Sequence, residues 1–478
     1  MKYLTYLIFY TLTIIVSTEA MGENKDGDTK WKRHLLPLPH EMYIGDEVAV
    51  HPQDVCVSLA IPQESVLSNN AKSQIKNLFP EYVKTDRNGK VFKISMGIPD
   101  RSGSFAGIDV SEDIQRLIHL PNNEQAYIIR PAEEREMIIV ALDDKGLFYG
   151  ALTLRQLLKA NLSKSQVIIP IVTITDWPDL KERGLWNSNT ETVIPWLASM
   201  KMNFENYDKS GEMWTQIERG EKIELKFDQT AFEVARANAY NLVPKITHSN
   251  FLHRYGLFLA YPELAGQGKQ AYQKHNGNQG HRVPCASNPL FTQFLTECYE
   301  SVAKQGIRDI SVWTSEYLSN CECEQCKRSG YRSGQLELEA KAMVRALRNT
   351  HTKYPDFKIR IFYSFTQFSE GNSIADLNRF VKSVPLNIPL ERACYLGREY
   401  QEPRNDIYDF PSDEFVVRGG TSISYMLPTE RYNVLIIKDH IASYLRRKWS
   451  GAYSMRSYPA GINKRLRQVP FMPLPNGD

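Results

Sequence analysis

DISVWTSEYLSNCECEQC, from Asp309 to Cys326, sets a short apolar strand, a carboxylate at its end and three closely spaced cysteines in one stretch. Ile310, Val312 and Trp313 are strong strand formers, and the run turns polar at Thr314 and Ser315 before reaching Glu316. An acid at the end of an apolar strand is a candidate for catalysis; the plain alternative is a solvated loop acid followed by a cysteine-pinned turn. A helical stretch at Leu336–His351 and a second β-type run at Lys358–Ser364 come next, so the region reads as a strand–helix–strand unit of parallel type.

The same alternation extends in both directions. Strands are expected at Gly184–Asn187, Met202–Tyr207, Leu242–Thr247, Asp309–Thr314, Lys358–Ser364, Glu391–Leu396, Thr421–Met426 and Gly451–Met455. Helices are expected at Ala231–Ala239, Pro289–Lys304, Leu336–His351, Ile374–Ser383 and Val434–Trp449. Eight such strands predict a closed (β/α)8 TIM barrel over residues 183–470.

Residues 34–178 read as a separate α/β unit. Glu47–Ala60 and Val91–Gly97 are strand-like, Asn70–Phe79 is helical, and Ala126–Ile129 with Glu136–Leu142 forms a strand pair about a charged turn. In DDKGLFYGALTLRQLLKA, Leu147, Gly150, Leu154 and Leu157 recur at helical spacing after an Asp-rich start. A last strand at Val167–Ile174 precedes the break at Asp176-Trp177-Pro178. The expected fold class is therefore α/β, an N-terminal α/β accessory domain followed by a (β/α)8 TIM barrel.

The 478 residues are 42% hydrophobic and 24% charged, ordinary for a soluble globular protein, and a net charge of +3 gives no reason to expect nucleic acid as a partner. Lys2, the apolar run Tyr3–Val16 and the small residues before Ala20 predict a signal peptide over residues 1–20. The run is short for a membrane span, so the mature chain is expected to be exported, periplasmic or extracellular, without a span. Seven cysteines are present, and Cys321, Cys323 and Cys326 are too close together to pair easily with one another. A CxCxxC turn can present three thiolates to one structural zinc, with Cys285 the nearest upstream candidate for the fourth ligand; two disulfides are the alternative. Catalysis needs no cofactor on either reading.

A barrel of this type carries its active site at the C-terminal ends of its strands. Trp186 ends strand one, Glu205, Asn206, Tyr207 and Asp208 end strand two, His248 follows strand three, and Glu316 ends strand four. Tyr363, Arg398, Glu399 and Tyr425 hold the corresponding places on strands five to seven. Acids and amides interleaved with rings suit a sugar pocket, since a pyranose face stacks on Trp186, Tyr363 or Tyr425 while its hydroxyls take fixed polar partners. Glu316 is the candidate proton donor, with Glu205, Asp208 or Glu399 as the second group. Packing at the barrel rim for the rings, and surface ion pairs for the acids, are the plain alternatives.

GLFYGALTLRQLL followed by ITDWPDLKERGLW resembles the end of the N-terminal domain and the start of the barrel in family 20 glycoside hydrolases, the β-hexosaminidases. Thr247-His248-Ser249, Tyr261-Pro262-Glu263, Pro284 to Pro289 and the acidic strand end with Cys321-x-Cys323-x-x-Cys326 resemble a barrel group of Bacteroidetes that includes glycoside hydrolase family 163. The resemblance implies action on a β-linked N-acetylhexosamine, and it supports grouping Cys285 with the CxCxxC cysteines. Arg183-Gly184 matches an Arg-Gly pair whose arginine binds sugar hydroxyls in family 20, which implies substrate binding by Arg183. One departure is chemical: family 20 carries Asp-Glu at the end of strand four, and this chain carries Ser315-Glu316.

The sequence thus predicts an exported glycoside hydrolase acting on an oligosaccharide or glycan. Glu316, Glu205 and Asp208 are the catalytic candidates; Arg183, Trp186, His248, Tyr363, Arg398 and Tyr425 are the binding candidates. A non-catalytic carbohydrate-binding protein on a decayed barrel is the first rival, motivated by Ser315. An α-glucuronidase-like hydrolase, using Arg183, Arg398 or Arg456 on a uronic acid, is the second.

Overall fold

The computed structural model describes residues 30–80, 91–100, 103–185, 191–207, 209–275, 279–316, 319–328, 334–363, 374–394, 407–411 and 451–454. The chain divides into two compact units after Pro178.

The first unit is built on a six-stranded sheet ordered β1-β8-β6-β7-β3-β2. Its strands are β1 Glu41–Val50, β2 Val55–Ala60, β3 Phe92–Gly97, β6 Tyr127–Glu133, β7 Glu136–Ala141 and β8 Val167–Asp176. A short hairpin, β4 Ser104–Phe105 with β5 Ile108–Asp109, lies between β3 and β6 in the chain. The stretch expected as one strand, Glu47–Ala60, is two. A short 3-10 turn at Pro52–Asp54 carries the chain from β1 to β2, which lie on opposite edges of the sheet.

The helix Asp144–Ala160 starts where Asp143 accepts the Lys145 N–H at 3.0 Å. Gly146 and Gly150, four residues apart, share one helix face. A Cβ on Gly146 would collide with the Ala126 carbonyl and one on Gly150 with Ile139, so GLFYG lets the helix lie directly on β6 and β7. Leu147, Leu154, Leu157 and Leu158 complete the buried face. A second cluster joins Phe105, Val110, Leu117, Ala126, Ile128, Ile138 and Val140. Tyr127 OH donates to Asp176 at 2.8 Å and lies 2.6 Å from Thr153 Oγ1, tying β6, β8 and the helix together.

The second unit is a closed barrel of parallel strands, in the order β10-β11-β14-β15-β16-β17-β18-β9. They are β9 Glu182–Leu185, β10 Phe204–Tyr207, β11 Asn241–Ile246, β14 Asp309–Trp313, β15 Lys358–Tyr363, β16 Leu390–Cys394, β17 Ile407–Pro411 and β18 Gly451–Ser454; a hairpin, β12 Tyr272–His275 with β13 Gln279–Arg282, interrupts the series. The helices Gln229–Ala237, Pro289–Lys304, Gly334–Thr350 and Ile374–Ser383 alternate with the strands. The seventh strand differs from expectation: it is Ile407–Pro411, in parallel register with β16, and Thr421–Met426 lies outside the described residues, as does Val434–Trp449.

Glycine decides one contact here. A Cβ on Gly184 would collide with the Phe204 carbonyl, and Gly184 is the residue through which β9 meets β10.

The barrel interior holds a buried charge cluster. The Arg360 guanidinium donates to Glu182 at 2.6 and 2.7 Å and to Asp309 at 2.6 and 3.0 Å, and it lies 3.6 Å from Glu391. Ser311 Oγ donates to Glu391, and Trp313 Nε1 donates to Ser311 Oγ at 2.9 Å. Burial pushes the Glu391 carboxyl up to about 7, against the opposing pull of Arg360. Because Arg360 reaches side chains on β9, β14 and β16, it links strands around the closed sheet.

Candidate active site

Strand β14 alternates its faces. Ser311 and Trp313 share the face that meets Glu391 and Lys245, and Ile310 and Val312 lie on the other. Trp313 stacks on Phe362 of β15 with ring centroids 3.9 Å apart, and Lys245 Nζ sits 4.2 Å above the Trp313 ring. His248, just past the end of β11, packs edge-on against Trp313 at 4.6 Å. Its Nδ1 lies 2.6 Å from the Thr314 carbonyl, which can only accept, so Nδ1 carries the proton and His248 clamps the end of β14. Ser249 Oγ donates to the Trp313 carbonyl at 3.2 Å from the same loop.

Glu316 comes two residues after these contacts and is half-buried. Its backbone N–H donates to Asn250 Oδ1 at 3.1 Å, so two consecutive strand ends fix the acid between them. The Asn250 Nδ2 group is buried and meets no hydrogen-bond partner among the described residues, and neither polar atom of the Asn206 amide does. Asn206 lies on the same face of β10 as Phe204, whose ring sits 4.8 Å from the Arg360 guanidinium, so it faces the barrel interior near the C-terminal end.

Ser315 is fully buried and turned away from solvent. Its N–H donates to Glu339 Oε2 at 2.7 Å and its hydroxyl to Glu339 Oε1 at 2.6 Å. An acid therefore does stand behind the strand-four end, supplied by the helix Gly334–Thr350. Burial raises the Glu339 carboxyl to about 7 in spite of donors from Ser315 and Gln335.

Several expected site residues are placed elsewhere. Glu205 is completely buried and accepts from Tyr240 OH at 3.2 Å; it lies on the face of β10 opposite Asn206, turned away from the barrel interior. Tyr363 is likewise buried, edge-on to Phe380 of the helix Ile374–Ser383 at 5.3 Å, so its ring packs behind the barrel wall. The Arg183 guanidinium donates to the carbonyls of Leu180 at 2.5 Å and Lys201 at 2.8 and 3.0 Å. Those carbonyls precede β9 and β10, at the end of the barrel opposite the mouth, so Arg183 braces the strand starts. Asn203 does the same work, accepting the Arg183 N–H and donating to the Lys181 carbonyl at 2.8 and 2.9 Å. Trp186, Asp208, Arg398 and Tyr425 lie outside the described residues, as do Glu399 and Arg456.

Sequence reading passed over Glu339, although a signal was present. Leu336, Glu339, Ala340, Met343 and Leu347 form one apolar helix stripe, and a charged residue on such a stripe needs buried partners.

The four cysteines come together. The Sγ atoms of Cys285, Cys321, Cys323 and Cys326 all lie within 4.8 Å of one another, with Cys285 3.6 Å from Cys323 and 3.8 Å from Cys326. No disulfide joins them. The Gln267 N–H points at Cys321 Sγ and the Cys326 N–H at Cys323 Sγ, each at 3.4 Å. Glu322 N–H to the Gln267 carbonyl at 2.8 Å and Asn320 N–H to the Gln270 carbonyl at 2.9 Å stitch the cysteine loop to the 265–271 loop. The cluster is compatible with a structural metal. A tetrahedron with metal–sulfur bonds of about 2.3 Å has edges of about 3.8 Å, close to the two shortest separations here.

Residues 35–177 match the family model for domain 2 of glycosyl hydrolase family 20. No curated protein matches the chain. Among solved structures, the chain is similar to Flavobacterium johnsoniae chitobiase at 16% identity and a TM-score of 0.50, covering 77% of this chain and 60% of that one. It is also similar to an inactive mutant of a family 20 exo-β-N-acetylglucosaminidase from Vibrio harveyi at 14% identity and a TM-score of 0.50, covering 90% of this chain and 71% of that one. The fold is thus that of a family 20-type N-terminal domain followed by a TIM barrel, and the chain spans about 60% of the length of the chitobiase. Among the described residues, no helix is long and apolar enough to cross a membrane.

Proposed function

We propose that this protein is an exported glycoside hydrolase that cleaves a β-linked N-acetylhexosamine from a glycan, with Glu316 as the general acid. One observation carries the reading: Glu316 is a half-buried carboxyl at the C-terminal end of the fourth barrel strand, its backbone fixed by Asn250. A carboxyl held at a strand end of the barrel is placed to give a proton to a leaving oxygen. The family 20 domain match supports the substrate class. Glycoside hydrolysis passes through an oxocarbenium-like transition state, so a second group must stabilise or attack the anomeric carbon. Asp208, Glu399 or the substrate's own acetamide fills that role in this reading.

The test is release of sugar from chromogenic β-N-acetylhexosaminides and from N-glycans. Turnover supports the hydrolase; binding on a glycan array without turnover on any glycan supports the non-catalytic rival.

The cysteine cluster holds a structural zinc in this reading, since four thiolates leave no open position for a substrate or water. Metal analysis of the purified chain should find about one zinc equivalent, lost in Cys326→Ser. Thiols that titrate only after reduction would point to disulfides instead.

A further inference from the structure

We infer that Glu339 is a positioning residue for the Ser315–Glu316 strand end, an inference that rests on reading Glu316 as the acid. Glu339 belongs to the helix Gly334–Thr350 and is fully buried. Its carboxylate accepts the Ser315 N–H at 2.7 Å, the Ser315 hydroxyl at 2.6 Å and the Gln335 amide at 2.7 Å. Among the described residues, no cation contacts it.

A buried carboxylate without a cation is an expensive way to hold a helix against a strand, since an apolar pair of similar volume is often as stable or more so. What it offers is chemistry: an acceptor-only group that can take several donors at once. Ser315 presents two of them, so one side chain fixes both the backbone and the rotamer of the residue before Glu316.

Gln335 shows what fixes Glu339 in turn. One turn earlier on the same helix face, its amide nitrogen also donates to the Pro284 carbonyl at 2.9 Å, and its oxygen accepts the Cys321 N–H at 3.1 Å. Pro284 adjoins Cys285. The cysteine cluster, Gln335, Glu339, Ser315 and Glu316 therefore form a continuous chain of contacts that joins the cluster to the acid through Glu339.

Glu339→Gln isolates the role. An amide in this position must set an N–H against a donor, either the Ser315 N–H or the Gln335 amide, whichever way it is flipped. The expected result in Glu339→Gln is a kcat at least about tenfold lower on a β-N-acetylhexosaminide, with KM within about twofold and zinc content unchanged. Amide exchange in the peptide spanning Ser315 and Glu316 should quicken at least about tenfold, while peptides from the N-terminal unit stay as in wild type. Unchanged kcat and unchanged local exchange would overturn the inference, as would a loss seen only in KM. Should wild type hydrolyse no glycan, the hydrolase reading fails by itself, and the exchange measurement still decides the positioning role in the same two directions. If Glu339→Gln does not fold, Ser315→Ala removes a single hydrogen bond to the same carboxylate, and a smaller change in the same sense is expected, with no change overturning the inference.

Discussion

Replacing Arg360 with methionine tests whether the charge cluster inside the barrel is a structural keystone. Methionine keeps much of the length of the side chain and removes its charge. Arg360 is 5% exposed and makes close hydrogen bonds to Glu182 and Asp309, with Glu391 at 3.6 Å. Without it, three carboxyls share a low-dielectric interior with no cation in contact from Arg360. Breaking a buried pair by removing one partner typically costs about 3–5 kcal/mol, because the stranded charge keeps its desolvation penalty. For a large domain, about 1 kcal/mol moves the melting point by about 2–4 °C, so Arg360→Met should melt at least about 6 °C lower at pH 8. The loss should shrink toward pH 5.5. Glu391 has its carboxyl raised by burial to about 7 with Arg360 present, and losing that cation raises it further, so acid neutralises one stranded charge. Thermal melts followed by circular dichroism at the two pH values decide the matter. A loss below about 1 kcal/mol at pH 8, or one that does not shrink in acid, would refute the reasoning.

Other perturbations follow from single contacts. Gly184→Ala puts a methyl into the Phe204 carbonyl and should lower stability by about 1–3 kcal/mol or prevent folding, read from soluble yield and melting point. Tyr127→Phe removes a donor from buried Asp176 and should cost about 1–3 kcal/mol in the N-terminal unit without altering hydrolysis, checked by melts and by rate. Burial raises both Glu339 and Glu391 from 4.5 to about 7, so each contributes stability that is present below about 4.5 and lost as pH rises through 7. Glu391→Gln should therefore flatten the fall in melting point between those pH values, and an unchanged slope would contradict the assignment.

Where the sequence carried a periodic signal, it located elements well. The helices Pro289–Lys304 and Ile374–Ser383 fall where their apolar spacing places them, and GLFYG marks the helix that lies on the first sheet. IYDFP carries an acid and a proline, while TSISYM offers better strand formers, yet the seventh strand is Ile407–Pro411; pairing with β16 overrides propensity in a closed barrel. Glu205 and Tyr363 both point into packed surroundings, and the sequence gives no sign of it. Parallel strands buried on both faces show no polar and apolar alternation, so the face a residue takes cannot be read from its neighbours. The Arg183-Gly184 motif says nothing of where the guanidinium goes, and its carbonyl partners lie at the strand starts. The grouping of Cys321, Cys323 and Cys326 was legible from their spacing, whereas Cys285 came only as the nearest upstream cysteine and from the family resemblance. Glu339 was legible only as an acid on an apolar stripe, since its partner Ser315 is distant in sequence and meets it through the fold.

The role of Glu316 is tested most directly by comparing leaving groups in Glu316→Gln. A general acid matters most when the departing oxygen is a poor leaving group and least when that oxygen departs without a proton. Hydrolysis of an alkyl β-N-acetylhexosaminide should fall by about 10²–10⁴-fold, the usual worth of a general acid, while a dinitrophenyl glycoside of the same sugar should fall by less than about tenfold. Equal rates in wild type and variant on the alkyl substrate, or equal losses on both substrates, would contradict the assignment of Glu316 as the proton donor.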